Sequence, residues 1–169
     1  MSRNRLSEHD LQRSCVNWFR YQYPYLRHLL FAVPNGGYRN AREAPRLKEE
    51  GVSPGVADLI LLLPSGEFNT LNIEMKVGRN TQSDHQLLYE RFCTTAGNQY
   101  IVCRSAEEFK STVSAYIAAT PSSVISALKS CYAQIMEESI QQERARIQVL
   151  VNRSNKNNCN TIQIRKSNE

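Results

Sequence analysis

The order of apolar and polar positions along the chain predicts a series of helices and short strands. Leu11, Cys15 and Phe19 recur at helical spacing and predict a first helix between Ser7 and Pro24. The same reasoning predicts further helices at residues 83–97 and 105–118 and strands at residues 29–33, 58–63, 68–77 and 99–103. The resulting order, α-β-β-β-α-β-α, indicates a mixed α/β domain that is complete by about residue 120.

The sequence after Pro121 has a different character. Residues 122–151 contain strong helix formers and an apolar series, which predict one long amphipathic helix or two in line. Residues 152–169 contain six asparagines and an excess of basic side chains, a composition typical of a mobile tail. We therefore expect a domain at residues 1–120, a helical extension at 121–151 and a basic tail at 152–169.

Composition narrows the class of protein. The 169 residues are 41% hydrophobic, enough for a core, and the net charge of +5 is compatible with binding to a polyanion. No apolar run approaches the roughly 18 residues of a membrane helix, and no apolar segment typical of a secretory signal is present at the N-terminus. We expect a cytoplasmic protein without disulfides, because its five cysteines are odd in number and widely scattered.

The residues best suited to catalysis lie at the ends of two consecutive predicted strands. A hairpin centred on Gly66 places Asp58 opposite Glu74, with Cβ atoms roughly 4.5–5.5 Å apart. Because strand side chains alternate, Lys76 lies on the same side as Glu74. Two opposed carboxylates repel each other unless a hard divalent cation such as Mg²⁺ lies between them. Two acids, a cation and a lysine are what metal-assisted phosphodiester hydrolysis requires.

A plainer interpretation of these residues stays open at this point. An acidic residue at the start of a strand is common, and Glu-x-Lys on an exposed strand is often a solvated ion pair. The gap of 15 residues between Asp58 and Glu74, on strands that the hydrophobic pattern predicts independently, favours the functional interpretation.

Several further motifs occur in a definite order along residues 7–117. They are Glu8-x-x-x-Gln12, Phe31-Ala32-Val33-Pro34-Asn35-Gly36-Gly37, Gly51-Val52-x-x-Gly55-Val56-x-Asp58, Glu74-x-Lys76, and Ser83-x-x-Gln86 ahead of Gly97. Together with Asp58, they resemble the VRR-NUC (virus-type replication-repair nuclease) branch of the PD-(D/E)XK nucleases. The resemblance implies a restriction-endonuclease-like core, with a central mixed sheet flanked by helices, to which the long C-terminal helix is added.

The resemblance also implies roles for individual residues. Asp58 and Glu74 would bind Mg²⁺ or Mn²⁺ together with the backbone carbonyl of Met75, and Lys76 would be the catalytic lysine. Glu8 would complete or support the metal site, although an acidic residue in a first helical turn is also stabilised by the helix dipole.

Gln86 would reach the site from the following helix, but it is also the third helical residue of a capping box that begins at Ser83. The family commonly has proline before the first aspartate, where this chain has Ala57. Since proline there shapes the backbone, we expect an altered entry to the strand without loss of activity.

A glycine turn and the arginines after it are candidates for contact with nucleic acid. Bare backbone lets a phosphate approach N–H groups, and the candidate residues are Asn35, Gly36, Gly37, Arg39 and Arg42. A tight turn followed by ordinary surface charge explains the same residues equally well.

The sequence therefore predicts a metal-dependent DNA endonuclease. The resemblance implies branched substrates such as four-way junctions or flaps, a role in phage or bacterial DNA replication, recombination or repair, and a homodimer for symmetric cutting. A catalytically silent nucleic-acid-binding module and a nuclease acting on RNA or single strands are the alternatives. The 122–151 helix either forms the dimer interface or packs on its own domain.

Overall fold

The computed structural model describes residues 7–34, 46–47 and 49–166, with side chains up to residue 150. Within these residues the predicted order of elements is confirmed, and one turn of 3-10 helix (Pro24–Leu26) is added before the first strand. The helices are α1 (Glu8–Gln22), α2 (Asp84–Thr95), α3 (Ala106–Ala118) and α4 (Ser122–Lys166). The strands are β1 (Leu30–Ala32), β2 (Leu59–Leu61), β3 (Leu71–Met75) and β4 (Gln99–Cys103).

In the part of the chain that the structure describes, four strands form one mixed sheet in the order β1-β2-β3-β4. The first three strands pair antiparallel, whereas β3 and β4 run parallel across the helical connection α2. Leu59 pairs with Ile73 and Leu61 with Leu71, which is the register of a hairpin centred on Gly66. The predicted register is therefore confirmed, and it determines which side chains meet near the start of β2.

Strand β3 is buried on both faces, which is unusual for an alternating sequence. Leu71, Ile73 and Met75 are all 0% exposed on the face that α1 and α3 cover. Asn72 and Glu74 point to the other face, where they lie beneath α2 and are only 2% and 1% exposed. Polar groups so deeply buried cost free energy unless they are hydrogen-bonded. Asn72 and Glu74 therefore form a buried polar patch on the sheet, and their side chains require hydrogen-bond partners from neighbouring elements.

Both strands of the hairpin are shorter than the sequence predicts. Strand β3 ends at Met75 because the next free backbone donor, the N–H of Val77, bonds to the carboxylate of Glu8 instead of another strand. Strand β2 ends at Leu61, although the Leu62 N–H still bonds to the Leu29 carbonyl. The chain thus leaves the sheet directly after Glu74 on β3 and Lys76 just beyond it.

Serine caps begin the three shorter helices as predicted. The hydroxyl oxygens of Ser7, Ser83 and Ser105 accept hydrogen bonds from the backbone N–H three residues further on, at 3.1, 3.4 and 3.1 Å. Each bond satisfies one of the N–H groups that a helix start leaves unpaired. For α2 this cap has a second consequence, because the capped turn lies against the polar patch of β3.

Helix α4 is longer than the sequence predicts. It continues to Lys166, so residues 152–166, which the composition assigned to a mobile tail, have helical backbone. No glycine or proline follows Pro121, and asparagine costs a helix at most about 0.7 kcal/mol per residue. The contacts divide the chain into two compact units, Met1–Ile125 and Ser126–Glu169. Among the residues described, none of the helices has the length and apolar character needed to cross a membrane.

The described cysteines are free thiols. Cys15, Cys93 and Cys103 are buried among apolar neighbours as the sequence predicts, whereas Cys131 on α4 is exposed. Burial raises the pKa of Cys15 to about 11. A thiol with so high a pKa is a poor nucleophile at neutral pH. These buried cysteines therefore act as small apolar residues of the core.

Gly55 offers a test of how the loop before β2 packs. Its φ is +84°, and an added Cβ would meet the backbone carbonyl of His85 and, at 2.9 Å, the backbone nitrogen of Gln86. We expect Gly55→Ala to lower the free energy of unfolding by about 3 kcal/mol, from backbone strain and overpacking together. Urea denaturation measures the change.

Gly51 is the matched control for this prediction. Its φ is +92°, but no atom lies within 4 Å of an added Cβ. Gly51→Ala should therefore cost only the strain of the left-handed backbone, about 1 kcal/mol. Equal losses in the two variants would contradict a close packing of the loop against the start of α2.

Candidate active site

The site begins where β2 starts and β3 ends. Continuing the observed register by one residue beyond Leu59 and Ile73 brings Asp58 opposite Glu74. The Asp58 carboxylate accepts a hydrogen bond of 2.8 Å from the backbone N–H of Met75. The two predicted acidic residues therefore meet at one end of the hairpin, as the turn geometry requires.

Lys76 completes this group from the same side of the strand. Its Nζ lies 2.7 Å from Oε1 of Glu74, and the lysine residue is only 8% exposed. The expected alternation of side chains is confirmed, and the solvated surface pair considered from the sequence is wrong for this Glu-x-Lys. A shielded pair is held more strongly than a surface pair because water screens it less.

Gln86 has both of the roles between which the sequence did not decide. Its side-chain oxygen accepts a 2.9 Å bond from the backbone N–H of Ser83, which closes the capping box of α2. Its side-chain nitrogen donates to Oε1 of Glu74. The cap thus fixes the amide that orients the Glu74 carboxylate.

Tyr100 is a member of the site that the sequence reasoning missed. Its hydroxyl lies 3.4 Å from Oε2 of Glu74, and the Gln82 amide lies 3.5 Å from that hydroxyl while donating to Glu90 at 2.7 Å. Tyr100 pairs with Asn72, so it lies on the same face of the sheet as Glu74. Strand alternation identifies it only once the partner of β3 is known.

Both acidic side chains have raised pKa values. Burial raises the pKa of Glu74 to about 6, the hydrogen bond from Lys76 opposes this, and the charge of Asp58 adds to it. Burial likewise raises the pKa of Asp58, while its bond to the Met75 N–H opposes the rise. Perturbed carboxylates of this kind are concentrated at functional sites because function requires charges that packing alone disfavours.

Glu8 lies close to this group but has contacts of its own. Its Oε1 accepts hydrogen bonds from the Val77 N–H at 3.3 Å and from the Asn80 side chain at 2.9 Å. Its charge contributes to the raised pKa of Asp58. Among the described residues, no three His, Cys, Asp or Glu side chains are gathered as a metal-binding group. Glu8 therefore holds the chain after β3.

The predicted nucleic-acid contacts belong to a segment outside the described residues. They are Asn35, Gly36, Gly37, Arg39 and Arg42.

Ala57, where the family commonly has proline, is completely buried beside Cys93 and Tyr100. Its methyl group packs on the face of the sheet that α2 covers.

Comparisons with known proteins agree with this architecture. No family model and no curated protein matches the chain. A solved structure described as a VRR_NUC domain protein is similar, with a TM-score of 0.60 and 24% sequence identity over 68% of this chain and 91% of that chain. The chain therefore shares the fold of this VRR_NUC domain protein, as the motifs implied.

The raised pKa of Glu74 makes the stability of the metal-free protein depend on pH. Between pH 4.5 and about 6 the native state retains a proton that the unfolded chain has lost. The free energy of unfolding therefore falls as pH rises through this window. We expect wild type to lose about 2 kcal/mol relative to Glu74→Gln between pH 4 and pH 7, measured by urea denaturation in EDTA.

The same two proteins supply the control at higher pH. Above pH 7 Glu74 is ionised in both the native and the unfolded state, so the difference between the proteins should stay constant up to pH 8. A difference that is already constant from pH 4 to pH 7 would contradict the burial of an ionisable Glu74.

Proposed function

We propose that this protein is a divalent-metal-dependent DNA endonuclease that hydrolyses phosphodiester bonds by attack of water. The observation that carries the proposal is the convergence of Asp58, Glu74 and Lys76 at the end of β3, with both carboxylate pKa values raised. Purely structural packing gives no reason to bring a half-buried and a buried acid together with a buried lysine. The nuclease-type fold supports the same chemistry.

Asp58 and Glu74, with the backbone carbonyl of Met75, are the groups that would hold Mg²⁺ or Mn²⁺. All are hard oxygen donors, and Mg²⁺ commonly takes only one or two carboxylates while keeping several waters. The charge of Asp58 contributes to the raised pKa of Glu74, and a divalent cation between the two carboxylates would relieve this repulsion. When bound, it would polarise the phosphate and lower the pKa of a bound water.

The protein's own residues supply the remaining parts of the mechanism. The Lys76 ammonium lies at the Glu74 carboxylate, where it can neutralise negative charge developing on a phosphate oxygen and orient a water. Gln86 and Tyr100 orient Glu74 from α2 and β4. The contacts of Glu8 favour support of the site over direct binding of the metal.

The substrate and setting extend the proposal. We infer that the enzyme cuts branched DNA such as four-way junctions or flaps, in the cytoplasm of a bacterium or a phage-infected cell, during replication, recombination or repair. The resemblance to VRR-NUC nucleases supports this choice. A nuclease for RNA or single strands, or a silent binding module, would give a different result in the assay below.

Cleavage of a labelled panel tests the proposal, with duplex, single-stranded DNA and RNA, nicked, flap and four-way-junction substrates in Mg²⁺, Mn²⁺ or EDTA. We expect metal-dependent cutting that prefers the branched substrates. Lys76→Met should lower the rate about 100-fold or more, because the cation beside the phosphate is lost. Lys110→Met, on α3 over the Trp18 ring, is the matched control and should cut normally.

Thermal unfolding separates metal binding from catalysis. Mg²⁺ should raise the melting temperature of wild type and of Lys76→Met but not of Asp58→Asn. DNA binding without cutting under every metal would favour the silent module. Cutting that is unaffected by Lys76→Met or by EDTA would overturn the proposal.

We also propose that α4 pairs with a second copy of the chain. Met136, Ile140, Ile147 and Leu150 occupy heptad core positions, with Glu143 at the core position between Ile140 and Ile147, and the four apolar residues are between 42% and 61% exposed. A stripe with this spacing is the seam of a two-stranded coiled coil. Two copies would bring two sites to one branched substrate, which symmetric cutting requires.

Light scattering on the full-length protein tests the pairing. We expect wild type to be a dimer and Ile140→Glu/Ile147→Glu to be a monomer, because carboxylates in the seam repel their counterparts. Gln142→Glu, on the same helix outside the stripe, should stay dimeric. A monomeric wild type, or a double variant with unchanged mass, would contradict the α4 interface.

A further inference from the structure

The four residues after Lys76 form a turn that is held unusually well for an exposed segment. The turn Val77–Asn80 begins where the Lys76 N–H still bonds to the Cys103 carbonyl at 2.9 Å, in continuation of the β3–β4 pairing. It closes on itself through the Asn80 N–H and the Val77 carbonyl at 3.3 Å, with Gly78 at a φ of +59°. Its first position is therefore fixed by the sheet.

Two charged side chains of opposite sign brace this turn. The guanidinium of Arg104 donates to the carbonyls of Gly78 and Asn80 at 3.2 and 2.9 Å. The Glu8 carboxylate accepts from the Val77 N–H and from the Asn80 side chain. Exposed turns of four residues rarely need such support, because water satisfies their backbone groups.

Arg79 is the residue that the braced turn presents. It is exposed, and it makes no hydrogen bond or ion pair with any residue that the structure describes. Arg104, the neighbouring cation, is occupied by the two carbonyls. Among the described residues, Arg79 is thus a guanidinium without a partner, on a turn that is held in place three residues beyond Lys76.

The charge of the site explains the need for such a residue. Asp58, Glu74 and Glu8 carry three negative charges against the two positive charges of Lys76 and Arg104, and a phosphodiester backbone adds more negative charge. A bound metal offsets part of this repulsion, but only at the phosphate that is cut. A separate cation at a phosphate on either side would strengthen binding. Three residues of chain span at most about 11 Å, so Arg79 lies within reach of these neighbours.

We propose that Arg79, presented by the turn Val77–Asn80, binds a backbone phosphate next to the scissile one. The inference rests on the proposed nuclease function. It also gives Arg104 and Glu8 a defined role as positioning residues, because each holds the turn and neither is needed to touch the substrate. Arginine suits this task because its planar guanidinium can donate two parallel hydrogen bonds to phosphate oxygens.

Binding and its salt dependence test the proposal. Fluorescence anisotropy of the full-length protein with a labelled duplex in EDTA gives the dissociation constant from 0.05 to 0.5 M NaCl. We expect Arg79→Gln to weaken binding about tenfold at 0.1 M NaCl and to reduce the slope of log K against log salt by about 0.9, the loss of one phosphate contact. In Mg²⁺ the variant should show a raised KM with kcat within about twofold.

Arg27→Gln is the matched control. Arg27 is an exposed arginine before β1, whose first residue pairs with Leu61 at the end of β2 that is remote from Asp58. This variant should bind with the wild-type salt slope. A similar loss in both variants would mean that Arg79 contributes only general surface charge, and the proposed phosphate site would be wrong.

A double-mutant cycle tests the bracing role of Arg104. If Arg104 acts by holding Arg79, then Arg104→Gln should weaken binding on its own but add little in the Arg79→Gln background. Losses that multiply would contradict the bracing role. Wild-type binding and cutting together with an unaffected Arg79→Gln would overturn this inference alone, whereas a wild type that neither binds nor cuts would overturn the nuclease proposal and this site with it.

Discussion

The buried carboxylate of Glu74 is the constraint on which the rest of the site depends. An ionised group that is 1% exposed is costly, and the pKa raised to about 6 shows that its environment does not fully compensate the lost water. Its partners come from three different elements, Lys76 beyond β3, Gln86 on α2 and Tyr100 on β4. The parallel pairing of β3 with β4, and the helix between them, therefore have a chemical as well as a structural purpose.

The cap of α2 shows how closely packing and chemistry are linked. Gln86 closes the capping box and bonds to Glu74 with the same amide, so the position of the helix start determines the orientation of the carboxylate. Gly55 lies against the backbone of this turn, where no larger residue fits without displacement. The glycine in the loop before β2 is thus connected to the site through the helix start.

The sequence predicts the parts of the site that depend on local periodicity. Alternation on β3 places Glu74 and Lys76 together, and the turn at Gly66 sets the register with Asp58, because both effects act within 20 residues. Tyr100 and the contacts of Glu8 depend on which elements become neighbours in space, and no local pattern specifies that. Helix α4 continues past the predicted end for another reason, since no residue type in its sequence stops a helix.

The contacts of Glu8 also bear on how the site is built. The first helical turn of α1 favours an acidic residue, and here that residue reaches across to the chain leaving β3. Side chains from α1 (Glu8) and from the residue after β4 (Arg104) hold this exit and fix the direction of the chain after Lys76. For the proposed phosphate contact, a charged residue on that turn would need no further ordering, and the conformational entropy lost on binding would be correspondingly small. The same brace explains why β3 ends at Met75 although the neighbouring strand continues to accept a bond from Lys76.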